Sequence, residues 1–232
     1  MLGPALAKIT AGFILAGTAL APCPLQGKVD VTVKLENPPP PVSTALTAQQ
    51  LTDQFGRDPD STLSTDGKWM MSGMTRSVID ANYRASFATH TNTQTGATCF
   101  AIDKVEYTII YKPEIYIASD YKNMGCRYSA TMMHERNHVK IDVRTITDFL
   151  PPLRDKLKAA AEAIGPQGPY PPAQLESEKR RAMASVADTL KPIVEELVAL
   201  RRTRQATIDT EASYRRDTAL CPGQFPKFDG GK

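Results

Sequence analysis

The sequence predicts an α+β fold, a small antiparallel sheet followed by a motif-bearing helix and long C-terminal helices. Three observations carry this reading. Strand patterns cluster before residue 118, and helical periodicity takes over from residue 129. At the head of the helical half stands His134-Glu135-Arg136-Asn137-His138.

Composition sets the frame. Hydrophobic residues make up 41% of the 232 and charged residues 23%, which suits a soluble domain with a well-buried core. A net charge of +3 is too small to argue for nucleic acid or an anionic membrane, so neither is expected as a partner. The chain divides into a leader (residues 1–27), a β-rich part with a Pro-rich linker (28–98) and a motif-bearing part with C-terminal helices (99–232).

The leader pairs Lys8 with the apolar run Ile9 to Ala21 and a small-residue site at Ala19-Leu20-Ala21. That pattern reads as a secretory signal, too short to favour a spanning helix. Pro22 hinders a cut after Ala21, so cleavage nearby, for instance after Ala19, is expected. The chain is accordingly expected to be exported, periplasmic or secreted, with lipid attachment at Cys23 as an alternative. In an oxidising compartment Cys23, Cys99, Cys126 and Cys221 can form up to two disulfides. Cys99–Cys126 is the favoured pair, because these two bracket an expected hairpin.

Taken in order, Lys28–Leu35 alternates apolar and polar residues and reads as a strand. Pro38-Pro39-Pro40-Pro41 is a stiff connector. Thr47 and Gln50 form a capping-box pattern for a short helix ending at Gly56. A strand is expected around Trp69–Met74, and the polar segment His90–Gly96 should turn between strands. Cys99–Ala118 is rich in β-branched and aromatic residues, with Lys112-Pro113-Glu114 expected to fold it into two antiparallel strands. Ser129 should cap the motif helix, and Pro151-Pro152 should end or kink it before a second helix, Leu153–Ile164. Beyond the Gly168–Pro172 loop, one helical stretch is expected from about Ala173 to Ala219, bent at Pro192. Its apolar stripe runs Met183, Val186, Leu190, Ile193, Leu197, Leu200, Arg204 and Ile208.

His134 and His138 lie one helical turn apart, so both imidazoles can reach one tetrahedral Zn2+. Glu135 stands beside it, placed to take a proton from metal-bound water. Through these residues the chain resembles the zincin metallopeptidases. It is similar, over roughly Cys99 to Cys221, to bacterial exported proteins described as predicted secreted zinc-dependent proteases. The resemblance implies a zincin-like, gluzincin-like catalytic part with zinc on both histidines and Glu135 as general base.

Two histidines need a third protein ligand. No glycine or third histidine follows at metzincin spacing. Asp142 shares the helical face but lies about 12 Å from His134 along the axis. It is expected either to orient His138 or to be solvated. Glu211 is the favoured third ligand, because it continues the stripe Leu197, Arg204, Ile208 toward the protein. Glu162 stands second, with Asp209, Glu195, Glu196 and His90 still open. Tyr214, on the same extrapolated face as Glu211, is the expected oxyanion donor.

The expected activity is hydrolysis of a protein or peptide substrate aligned on an edge strand at Ile115–Ala118. The alternative is a non-catalytic exported metal-binding protein or a helical interaction module using the charged run Glu176–Arg204.

Overall fold

The structure, a computed structural model, describes residues 23–56 and 70–224. The leader up to Pro22 lies outside the described residues, as does Trp69. Of the strand expected around Trp69–Met74, Gly73 and Met74 are in strand, at the start of a much longer one. A long central strand organises everything else. The elements are β1 (Asp30–Glu36), β2 (Val42–Ser43), α1 (Ala48–Phe55), β3 (Gly73–Thr91), β4 (Thr98–Ile117), α2 (Gly125–Ile164), β5 (Gln167–Tyr170), α3 (Pro172–Gln205) and α4 (Glu211–Ala219).

The α+β class holds, but the sheet is mixed rather than antiparallel. β3 runs antiparallel along the whole of β4. The other side of β4 carries β1 and β2 in parallel and β5 antiparallel. Ile115–Ile117 is therefore flanked by β2 and β3 and offers no edge. Among the described residues β3 pairs with β4 alone, so the free edge belongs to β3.

β4 does not turn at Lys112-Pro113-Glu114. Pro113 sits buried within the strand opposite Ser77. The Ile115 amide donates to the Pro41 carbonyl on the β2 side, and Pro113 shares its parity. The donor that proline lacks would thus point into the gap between β1 and β2, where no ladder partner is missing one. Alternation does the rest: Val105, Tyr107, Ile109, Tyr111, Ile115 and Ile117 are buried, while the intervening side chains face outward.

The expected strand over Lys28–Leu35 and the α1 capping box are both present. Thr47 accepts from the Gln50 amide, and the Gln50 side chain accepts from the Thr47 amide. The polar segment after His90 turns β3 into β4, as expected. The helix ahead is longer than the sequence suggested. α2 begins at Gly125, with Ser129 inside it, and continues through Pro151 and Pro152 to a stop at Gly165. Each proline forfeits one intrahelical bond, at about 3 kcal/mol or more. Against that, Ile146, Phe149, Leu153 and Leu157 are buried in register on one face, each worth roughly 1.5–3 kcal/mol. Core packing outweighs the broken ladder.

α3 lays Val186, Leu190, Ile193 and Leu197 into the same core. It is therefore packed rather than a free arm, and exposed pairs such as Lys156–Glu196 and Arg204–Asp148 fringe it. The helical stretch is not continuous to Ala219: α3 stops at Gln205, and α4 restarts at Glu211. No helix of the described residues is long and apolar enough to cross a membrane.

The cysteines pair as Cys23–Cys99 and Cys126–Cys221, not Cys99–Cys126. An unfolded-back β4 separates residues 99 and 117 by roughly 60 Å, which puts Cys126 beyond reach of Cys99. Two disulfides fit an oxidising compartment. Cys23 sulfur bonded to Cys99 is not free for a lipid. Non-reducing peptide mapping is expected to recover these two cross-linked pairs and no Cys99–Cys126 peptide.

Candidate metal centre

One face of α2 carries His134 and His138 toward the chain that follows α3. Their Nε2 atoms lie 3.2 Å apart. Asp209 Oδ1 is 3.3 Å from His134 Nε2 and 3.2 Å from His138 Nε2. The three donors form a nearly equilateral triangle. In a tetrahedron the ligand–ligand edge is about 1.6 times the metal–ligand bond, so bonds of about 2.0 Å require donors about 3.3 Å apart. The triangle matches one face of such a tetrahedron. Among the described residues, this is the group of histidine and carboxylate side chains that could hold a metal ion.

The outward nitrogens make the fit chemical as well as geometric. His134 Nδ1 is 2.9 Å from Asp217 Oδ2, and His138 Nδ1 is 2.6 Å from Gln205 Oε1. Both oxygens only accept, so each Nδ1 supplies the proton and each Nε2 turns a lone pair inward. Three lone pairs aimed at one another repel unless a cation lies between them.

Electrostatics agree. Burial opposes the charged form of both histidines, but hydrogen bonds to Asp209 and the negative charge of Glu135 outweigh it. His134 rises, and His138 rises to about 9. Burial works against the Asp209 carboxylate too, yet hydrogen bonds from both histidines hold it below the usual carboxylate range. The site wants positive charge, and a proton competes with a metal for the same atoms.

Glu135 follows His134 on the buried side of α2. Thr75 on β3 donates to its Oε2 at 2.9 Å. Gly73 makes room: a Cβ there would lie 2.9 Å from Glu135 Oε1 and 2.6 Å from Thr131 Cγ2. Burial pushes the Glu135 carboxyl up. Tyr214 stacks on the His134 ring at 5.1 Å, and its hydroxyl donates to Asp209 Oδ1 at 3.1 Å. Tyr214 thus steadies the ligands instead of standing free beside them.

The structure brings together His134, Glu135, His138, Asp209 and Tyr214, but not Glu211. Glu211 is exposed and bridges Arg215 at 2.5 Å. Its expected phase assumed an unbroken helix, whereas the chain leaves α3 at Gln205 and Glu211 becomes the first residue of α4. A signal for the break was present. Thr210 caps α4 by accepting from the Ser213 amide, with an acid following it in the first turn. Glu162 lies at the far end of α2 beside Lys158, and His90, Glu195 and Glu196 are exposed. Two supporting residues escaped the sequence reading altogether. Asp217 sits on a helix with too few apolar residues to reveal its phase. Gln205 follows Arg201 by one turn at the end of α3, and its signal was a polar residue continuing a packed helix face.

No family model, curated protein or solved structure matches the chain.

Equilibrium dialysis with metal analysis tests the ligand set. Zinc is expected at one per chain in the wild type and in Glu211→Ala. Asp209→Ala should weaken binding by more than about 100-fold, beyond the roughly 10- to 100-fold loss at the supporting Asp217→Asn. Because His138 must shed a proton below about 9, apparent affinity should rise with pH up to that value. Metal lost in Glu211→Ala but retained in Asp209→Ala would overturn the assignment.

Proposed function

We propose that this protein is an exported zinc-dependent peptidase, in which His134, His138 and Asp209 hold the metal and Glu135 is the general base. The convergence of two imidazole nitrogens and one carboxylate oxygen at tetrahedral-edge spacing carries the reading. Nitrogen and oxygen donors in such a set suit zinc, and three protein ligands leave a vertex for water or substrate. The resemblance of His134-Glu135-Arg136-Asn137-His138 to the zincin motif supports the same conclusion. The two disulfides favour an oxidising location.

Bound zinc would activate water and polarise a substrate carbonyl. Glu135 then takes the proton from the attacking water and returns it to the leaving amine nitrogen. Thr75 holds one of its carboxylate oxygens, which fixes the other for that transfer. An extended peptide adding to the free edge of β3 would pass the Gly73–Thr75 end, beside Glu135. Asp209 and Tyr214 act together: the Tyr214 hydroxyl donates to Asp209 and can serve a developing oxyanion only by releasing it.

One observation favours a second reading, a metal-binding protein without turnover. Glu135 is only 4% exposed, so its carboxyl is largely closed from water in this conformation. Casein hydrolysis by the zinc-loaded wild type beside Glu135→Gln separates the two. The peptidase reading expects activity that falls about 10²- to 10⁴-fold in Glu135→Gln while zinc is retained. Zinc at one per chain with no hydrolysis by the wild type would leave the second reading standing.

A further inference from the structure

Beneath the metal ligands lies a buried polar cluster that the proposed chemistry does not use directly. Asp142, 2% exposed, is gripped by Arg201, whose Nε donates to Oδ1 at 2.9 Å and Nη2 to Oδ2 at 2.5 Å. The Tyr111 hydroxyl donates to Oδ2 at 2.9 Å, and Ser77 Oγ lies 3.4 Å from the same oxygen. Gln205 completes the cluster. Its Nε2 donates to Asp142 Oδ1 at 2.7 Å and to the His138 carbonyl at 3.0 Å. Its Oε1 faces His138 Nδ1 at 2.6 Å.

A glutamine amide has two ends of opposite character, and its neighbours dictate which end faces where. Asp142 as a carboxylate only accepts, and so does the His138 carbonyl. Both therefore demand the NH2 end of Gln205. That leaves its oxygen for His138 Nδ1, which must then carry the ring proton, freeing the Nε2 lone pair. Arg201 and Tyr111 in turn keep Asp142 ionised and in place.

We propose that Asp142 sets the tautomer of His138 through Gln205, so that Gln205 is a positioning residue whose orientation makes His138 a ligand. The inference rests on the metal-site reading but not on peptidase activity. Asp142 thus acts on His138 although it lies too far along the helix to reach the metal itself.

The test reads the tautomer in metal-free protein by ¹⁵N NMR of the neutral ring, titrated above the value of about 9 reached by His138. The wild type should show Nδ1 protonated and Nε2 bare. Gln205→Leu removes the acceptor, so the signal should shift toward a mixture of tautomers and zinc affinity should fall roughly 10- to 100-fold. Asp142→Asn can turn its own NH2 toward Gln205 and so oppose the His138 carbonyl, which still asks for the NH2 end. Tautomer purity and zinc affinity should both fall, by less than in Gln205→Leu, and an unchanged tautomer in folded Asp142→Asn would overturn the part assigned to Asp142. Thermal melts of the single variants separate misfolding from a tautomer effect, and the wild-type tautomer tests the proposal without any variant. An Nε2-protonated ring in the wild type would overturn the proposal, as would an unchanged tautomer in a folded Gln205→Leu. Zinc-loaded wild type with the predicted tautomer and no hydrolysis would instead count against the peptidase reading alone.

Discussion

The pairing of Arg201 with the buried Asp142 is the interaction on which the site depends. It joins α3 to α2 and, through Tyr111 and Ser77, both helices to the sheet. Removing two charges from water is costly, and the pair is sustained here by three further hydrogen-bonding partners, Tyr111, Ser77 and Gln205. An isolated buried ion pair is weak evidence for stability, but this one fixes register. With Arg201 locked against Asp142, Gln205 must fall one turn further, level with His138, and the chain leaving α3 there is delivered to the histidines. The apolar core could accept small slips of α3 along α2; the charge pair does not.

How much of this was legible in the sequence depended on how locally each feature was determined. The Thr47 capping box, the β1 alternation and the helix end at Ile164 are decided by a few neighbouring residues, and the structure shows each of them. The motif histidines likewise needed only helical spacing to face one way. Features set by distant partners were harder. Pro113 fits a continuous strand because a gap between β1 and β2 lies opposite its missing donor, which no local pattern around 113 reveals. The cysteine pairing followed from that error, since a hairpin at 112–114 was the reason to bring Cys99 near Cys126.

The third ligand shows the same limit more sharply. The stripe through Leu197 and Leu200 is real, and extending it by helical phase led to Glu211. A five-residue interruption resets that phase, and Asp209 enters from the irregular segment instead. Apolar periodicity describes elements that pack by burial. The segment from Ala206 to Cys221 is held mostly by polar contacts, so it carries little periodic signal. Its buried residues are only Ser213 and Cys221. The Thr210 cap was the one local mark that a new helix begins.

That sparse burial gives the Cys126–Cys221 bond a further significance. Gln205 is anchored in the cluster beneath the site, and Cys221 is tied to the first turn of α2, so Asp209, Tyr214 and Asp217 lie on a segment held at both ends. A tail pinned at one end would lose much conformational freedom each time Asp209 closed on the histidines. Fixed at both ends, it resembles a macrocyclic chelator beside an open-chain one: the donors are held near the spacing a metal would need, and an ion binding there would meet a cage already shaped for it.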